Sequence, residues 1–352
     1  MINTNTTSKG KILVTGGVGY IGSHTIVDLI QNGYTVLSAD NLSRSSDTVL
    51  HGIEKITGVK VKNYRIDLCK YDDTNTIFIE NPDIIGIIHF AAYKAVGESV
   101  LRPLYYYENN IDSLLNILHC VQEFGIPNFV FSSSCTVYGE PDVVCVTEDA
   151  PIKTAQSPYG FTKQIGERMC TDVAKTSVAQ MVLLRYFNPV GAHPSNHIGE
   201  LPIGVPQNLF PAITQTAVHK LPQLTIHGNT YNTPDGSCLR DYIHVCDIAH
   251  AHTLALDYLI QEKNKEDVSI FNLGTGIGIS VLEAVKAFEA TSGIKLNYTI
   301  GPKREGDVEA IYANNNLATK ELGWYCNYNL QDMISTAWAW EQQLHANAAA
   351  QP

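Results

Sequence analysis

The sequence predicts an α/β protein: a doubly wound parallel sheet with a smaller C-terminal α/β lobe. Three observations predict it. Short apolar runs alternate with segments of helical periodicity as far as Tyr186, a glycine cluster separates the first run from the first helix, and Pro and Gly crowd Pro189 to Pro211. Lys11 to Thr15 is the first strand, ending at Gly16-Gly17, and Tyr20 to Asn32 carries Ile21, Ile26, Leu29 and Ile30 at helical spacing. Gly33 stops that helix. Tyr34 to Ala39 and Val59 to Ile66 read as the second and third strands, and Ile84 to Phe90 as a fourth buried on both faces. Asn128 to Ser132 is the fifth, and Gln180 to Tyr186 the sixth after a helix over Pro158 to Lys175. Further helices are expected at Phe210 to Lys220 and Val245 to Gln261, and Val268 to Leu273 can return to the main sheet. The expected division is residues 1–190 for the first domain, with a strand or helix returned from 240–275, then 191–345 for the second lobe. The Ala-rich end, 346–352, is expected to fray.

Composition narrows the function. With 352 residues, 44% hydrophobic and 17% charged, the chain is a packed globular protein, not a disordered scaffold. A net charge of −11 disfavours a nucleic-acid or anionic-membrane binder, since both need clustered Lys and Arg. The polar start, Met1 to Lys11, lacks the apolar segment of a secretory leader. The longest apolar stretch, Ile84 to Ala92, is broken by Gly86 and His89 and is too short for a membrane span. Eight cysteines form no C-x-x-C pair, so reduced thiols in the cytoplasm are expected. His244, His250 and His252 lie near Asp247, but His250 and His252 point in different directions on a helix, and no metal site is expected. Tyr105-Tyr106-Tyr107 has no basic patch beside it and reads as packing.

Gly16-Gly17-Val18-Gly19-Tyr20-Ile21-Gly22 lies directly between a strand and a helix. Such a turn gives a pyrophosphate room to touch backbone, and the helix N-terminus offers free N–H groups and the positive end of its dipole. The sheet is therefore read as Rossmann-type. Asp40 closes the second strand, where a carboxylate accepts from an adenosine ribose and repels a 2′-phosphate, which favours NAD. Asp67 ends the third strand and Phe90-Ala91-Ala92 the fourth, both placed to lie along the cofactor.

Ser132-Ser133-Ser134 ends the fifth strand, and Tyr159 and Lys163 lie four apart at the start of the next helix, on one face. An ammonium and a cationic nicotinamide near a phenol favour the phenolate, so Tyr159 is a candidate general base. Ser134 is placed to hold the same substrate oxygen. The chemistry is oxidation of a carbinol.

The sequence resembles the extended short-chain dehydrogenase/reductases and, among them, the UDP-glucose 4-epimerase family. The residues that carry the resemblance run from Val14-Thr15-Gly16-Gly17 to Trp324. They include His89-Phe90-Ala91, Lys94-Ala95-Val96-Gly97-Glu98-Ser99, Phe131-Ser132-Ser133-Ser134, Thr136-Val137-Tyr138-Gly139 and Ser157-Pro158-Tyr159-Gly160. Leu184-Arg185-Tyr186-Phe187-Asn188-Pro189, Gly191-Ala192-His193-Pro194, Arg240-Asp241-Tyr242-Ile243-His244 and Arg304-Glu305-Gly306-Asp307 continue it. The resemblance implies reversible C4 epimerisation of UDP-galactose and UDP-glucose through a 4-keto intermediate, with NAD held throughout, a UDP-hexose substrate and a homodimer. It implies that Tyr159 is the base, Lys163 its electrostatic partner and a ribose ligand, and Ser134 the hydroxyl on the sugar oxygen. It extends the cofactor site to Tyr20, Ile21, Asn41, Leu68, Lys94, Asn109 and Tyr186. For the substrate it implies Asn188, Asn208, His227, Arg240, Arg304, Asp307 and Ile311. A guanidinium fork does suit a pyrophosphate, although Arg240 and Arg304 could instead pair with the adjacent Asp241 and Glu305.

Departures leave two alternatives open. Ala92-Tyr93, Leu201 and His227 differ from the family pattern, and His227 stands where an aromatic ring is usual against uracil. Ile311 stands where the family carries Tyr or Cys, a position linked to room for an N-acetyl group, so action on UDP-GlcNAc and UDP-GalNAc is one alternative. A nucleotide-sugar dehydratase is the other; it needs an Asp-Glu pair where Cys135 and Thr136 stand here.

Overall fold

The computed structural model describes residues 8–304 and 307–349. Glu305 and Gly306 of the Arg304–Asp307 motif, and the last three residues of the Ala-rich end, lie outside the described residues. From the N-terminus the elements are β1 (Lys11–Thr15), α1 (Tyr20–Gln31), β2 (Thr35–Ala39), α2 (Thr48–Thr57), β3 (Lys62–Tyr64), α3 (Tyr71–Glu80), β4 (Ile84–His89), α4 (Val96–Leu101), α5 (Pro103–Glu123) and β5 (Asn128–Ser132). A 3₁₀ turn over Cys135–Tyr138 leads to β6 (Cys145–Val146), α6 (Pro158–Ala174), β7 (Gln180–Tyr186) and β8 (Asn188–Val190). Then follow α7 (Leu209–Ala217), β9 (Leu224–His227), β10 (Leu239–Arg240), β11 (Tyr242–His244), α8 (Val245–Ile260) and β12 (Val268–Leu273). The chain ends with β13 (Ile279–Ser280), α9 (Val281–Ser292), β14 (Tyr298–Gly301), β15 (Ala310–Ala313), α10 (Asn316–Leu322) and α11 (Leu330–Ala349).

The main sheet has seven strands in the order β3-β2-β1-β4-β5-β7-β12, every neighbouring pair parallel. Alternate side chains feed two cores, as the pleat requires. Ile12, Val14, Ile88 and Val182 meet Ile26 and Leu29 of α1 and Ile248 and Leu256 of α8 on one face. Leu13, Ile87, Phe129 and Leu183 meet Ile77 of α3, Ile117 of α5 and Cys170 of α6 on the other. The two interruptions in the fourth strand have local causes. A Cβ on Gly86 would sit 2.9 Å from the Leu256 side chain, and His89 bonds through Nδ1 to the Thr15 hydroxyl at 2.8 Å between stacked Phe129 and Phe131 rings.

The third strand is shorter than the sequence suggests. It is an edge strand that pairs only with Leu37–Ala39, and Gly58 ends α2 in a left-handed conformation, so residues 59–60 form an exposed connection. The smaller lobe packs Phe210 and Ile213 of α7 with Phe288 of α9 and Met333 and Ile334 of α11. Beside it run a four-stranded sheet, β13-β10-β15-β6, and two parallel pairs, β8/β11 and β9/β14. The helix α11 continues to Ala349, past the position where fraying is expected, in keeping with the high helix propensity of alanine. Among the described residues no helix is long and apolar enough to cross a membrane.

Candidate active site

A cavity of about 750 Å³ opens beyond the carboxyl ends of the strands and is lined from both the sheet and the second lobe. Its floor is the glycine turn between β1 and α1. Gly16 has φ +64°, and a Cβ on Gly22 would sit 2.3 Å from the Gly16 carbonyl oxygen, so helix and turn approach at backbone contact. Gly19 caps α1 without any side-chain hydrogen bond, leaving the helix N-terminus open for an anion. Asp40 is oriented at the wall: Oδ2 accepts from Val18 N–H at 3.2 Å, and Oδ1 accepts from Leu42 N–H at 2.8 Å and the Ser45 hydroxyl at 3.0 Å. Burial raises its carboxyl above the usual value, against these donors. Tyr20, Ile21, Asn41, Asp67, Leu68, Phe90, Ala91, Lys94, Asn109 and Tyr186 line the same cavity. These residues fit a dinucleotide: an open helix N-terminus, a close-approach turn that a Cβ would fill, and a carboxylate at the ribose end.

Ser134, Tyr159 and Lys163 line the same cavity. The helix that carries two of them starts cleanly, because Ser157 accepts from Gly160 N–H at 3.1 Å and Pro158 occupies its first turn. All three residues are buried. Lys163 Nζ donates to the Ser132 carbonyl at 2.6 Å and lies 5.9 Å from the centre of the Tyr159 ring. Burial dominates both titrations. It pushes the Tyr159 phenol well above 10, reinforced by Tyr186 and opposed by the Ser134 hydroxyl, and it lowers Lys163 to about 8. Burial thus outweighs the neighbouring ammonium in setting the phenol.

The substrate candidates fall into two groups. Asn188 and Asn208 line the cavity. Asn188 Oδ1, and Oγ1 of Thr136, which also lines the cavity, are buried with no hydrogen-bond partner, two polar atoms left for a ligand. Glu200, which the sequence did not flag, accepts from Lys94 Nζ at 3.0 Å and from Asn208 Nδ2 at 2.7 Å. The second group does not line the cavity. Arg304 forks onto Asp307 with Nε at 3.1 Å and Nη2 at 2.8 Å, Arg240 approaches the same carboxylate at 3.9 Å, and Arg304 Nη1 reaches the Gln207 carbonyl on the cavity rim at 3.5 Å. Asp241 does not pair with Arg240. Its carboxylate is turned inward and accepts from Thr275 N–H, the Thr275 hydroxyl, Gly276 N–H and Ala313 N–H, all within 3.0 Å. His227 is exposed at the end of β9. Ile311 is buried against Tyr138 and Phe187, and Phe187 faces the cavity.

The histidines near α8 are separately employed: His244 stacks on Tyr328, His250 bonds Asp28 and His252 bonds the Ile248 carbonyl. Among the described residues no group of three His, Cys, Asp or Glu is placed to hold a metal. Tyr106 is buried and Tyr105 stacks on Tyr93.

A seven-stranded parallel sheet with a glycine turn at its centre and a Ser, Tyr and Lys group beside it defines an enzyme of the extended short-chain dehydrogenase/reductase type. A family model described as GDP-mannose 4,6 dehydratase matches residues 13–337. The UDP-glucose 4-epimerase of Bacillus subtilis (strain 168) is 46% identical over 331 residues, 94% of this chain and 96% of its own. Among solved structures, the UDP-glucose 4-epimerase of Bifidobacterium longum in complex with NAD+ and UDP superposes with a TM-score of 0.91 at 43% identity, covering 95% of this chain and 98% of that one. The UDP-Glc/GlcNAc 4-epimerase of Campylobacter jejuni gives 0.80 at 32% identity, covering 95% and 99%. The chain belongs to the UDP-glucose 4-epimerase family.

Proposed function

We propose that this protein interconverts UDP-galactose and UDP-glucose by reversible epimerisation at C4, with NAD as its retained cofactor. One observation carries the reading: Ser134, Tyr159 and Lys163 meet in the same cavity that the glycine turn and Asp40 open. NAD, when bound, would supply reversible hydride chemistry at C4, by way of a 4-keto sugar, and positive charge beside the phenol. Gly16, Gly19 and Gly22 would seat its pyrophosphate and Asp40 its adenosine ribose.

The chain's own residues handle the proton and the position. Tyr159 takes the C4 hydroxyl proton and returns it after the sugar has turned. Ser134 holds the same oxygen. The Lys163 ammonium, fixed on the Ser132 carbonyl, adds charge that favours the phenolate. Asn188, Asn208 and the Arg240, Arg304 and Asp307 group serve the uridine diphosphate, with His227 and Ile311 assigned to the uracil and sugar ends. Strong anchoring of the nucleotide leaves the hexose loosely held, which permits rotation of the ketone. Cys135 and Thr136 supply no acid–base pair for elimination, which separates this chemistry from a dehydratase. Incubation with UDP-galactose, without added reductant, is expected to yield UDP-glucose; a protein loaded with NAD that leaves UDP-galactose unchanged would sink the reading.

Ile311 supports a second activity, on UDP-GlcNAc and UDP-GalNAc, because a residue smaller than tyrosine backs Phe187 at the cavity wall. No C4 turnover of saturating UDP-GlcNAc would remove it. We further read the protein as a cytoplasmic homodimer: all eight cysteines are free, which suits a reducing compartment, and α5 and α6, packed side by side, expose Leu104, Leu115 and Phe161.

A further inference from the structure

We propose that Arg44 and Glu98 form a strap over the dinucleotide groove that slows release of the bound cofactor, an inference that rests on the NAD reading above. The topology gives the strap its place. In the sheet, β1 lies between β2 and β4, so the loop after β2 and the segment after β4 face each other across the glycine turn that ends β1. No sheet hydrogen bond joins those two walls. Arg44 belongs to the first and Glu98, on α4, to the second, and Arg44 Nη2 meets Glu98 Oε1 at 2.7 Å. Both residues line the cavity.

Each end of the strap is anchored. On the α4 side, Glu98 Oε2 accepts from the Tyr106 hydroxyl at 2.8 Å, and that hydroxyl accepts from Ala95 N–H at 3.1 Å. Tyr106 is fully buried, so the carboxylate is held by a rigid post. On the β2 side, the Ser45 hydroxyl adjacent to Arg44 is bound to Asp40, and the Arg44 guanidinium also lies 5.0 Å from the centre of the Tyr93 ring, a second contact with the wall that follows β4. The loop that carries the ribose-facing carboxylate is thereby tied to the opposite wall. A dinucleotide lying along the turn cannot lift out until this ion pair parts. The pair is partly exposed, with 42% of the Arg44 side chain and 25% of Glu98 accessible, so salt weakens it.

The test measures NAD dissociation from the purified, NAD-loaded full-length protein. Arg44→Gln and Glu98→Gln are each expected to release NAD about fivefold faster than the parent, within the range for a partly exposed ion pair, and the double variant no faster than the faster single, because both remove one interaction. High salt is expected to speed release from the parent and to leave Arg44→Gln unchanged. Glutamine at position 98 can still accept from Tyr106, which preserves the post. Parent-like retention by Arg44→Gln would overturn the strap. So would loss in Arg44→Gln with retention in Glu98→Gln, since the Arg44–Glu98 pair would then not be what holds the cofactor. A parent protein that takes up no NAD under any condition would overturn the cofactor reading itself, a result distinct from equal retention by parent and variants.

Discussion

Glu167 on α6 and Arg185 on β7 form a buried ion pair, with Arg185 Nε on Oε1 at 2.9 Å and Nη2 on Oε2 at 2.7 Å. Glu167 Oε1 also accepts from the Ser133 hydroxyl at 2.5 Å. One carboxylate thus pins the helix that bears Tyr159 and Lys163 to the strand end that bears Ser134. Glu167→Ala is expected to lower stability by about 3 kcal/mol, because it leaves a guanidinium buried without its counter-charge. Urea denaturation reads this, and an unchanged midpoint would contradict it.

Tyr159→Phe removes the proton acceptor and keeps the ring. Turnover of UDP-galactose is expected to fall about a thousandfold while NAD stays bound. A rate near that of the parent would remove Tyr159 from the chemistry.

Lys163, lowered to about 8 by burial, carries its charge below that pH and loses it above. If the ammonium serves the phenolate, activity declines as pH rises through about 8. The pH profile of kcat checks this, and Lys163→Arg, whose charge persists, is expected to lose the alkaline limb of the profile.

Acid is expected to unfold the protein early. Burial lowers His24 and His89 to about 3, and His244 and His252 to about 4. Unfolded histidine titrates near 6.5, so below that pH the unfolded chain takes up protons that the folded chain refuses. Stability therefore holds above about pH 6.5 and falls as pH drops toward 4, by up to about 1.4 kcal/mol per pH unit for each such group. His250, raised by its hydrogen bond to Asp28, works in the opposite sense: its contribution is present at low pH and fades as pH rises through its folded value. Denaturation midpoints at pH 7 and pH 5 test the net direction; equal values would contradict it.

Gly22→Ala forces a Cβ to within 2.3 Å of the Gly16 carbonyl oxygen, and backbone has no room to yield cheaply. NAD affinity is expected to drop at least about tenfold, measured by equilibrium titration, and an alanine variant of unchanged affinity would show that the turn can shift.

The residues that line the sheet side of the cavity were readable because their signals are local. A glycine turn after an apolar run, an acid at a strand end and Tyr159 four residues before Lys163 each announce themselves within one element, and all the named cofactor residues line one cavity. What sequence spacing missed depends on depth or on distant pairing. The rise in the Tyr159 phenol comes from burial, which no spacing shows. Asp241 looked like a partner for Arg240, yet the parallel pairing of β10 with β15 turns it toward the backbone of Thr275, Gly276 and Ala313. Glu200 and Glu98 find partners 106 and 54 residues away, on loops that only the finished sheet brings together. The third strand came out short because edge position, a tertiary property, limits its pairing.

The place of β12 bears on how the chain is made. This strand pairs with Met181–Tyr186 of β7, yet it is synthesised only after α7 and the strands β8 to β11 of the other lobe. During translation β7 therefore emerges as an open edge, paired with β5 on one side but with its other backbone groups unpaired, and stays so until Leu273 has cleared the ribosome. Any nascent chain halted between residues 187 and 267 exposes a sticky flank, the form that a chaperone must shield or a protease remove.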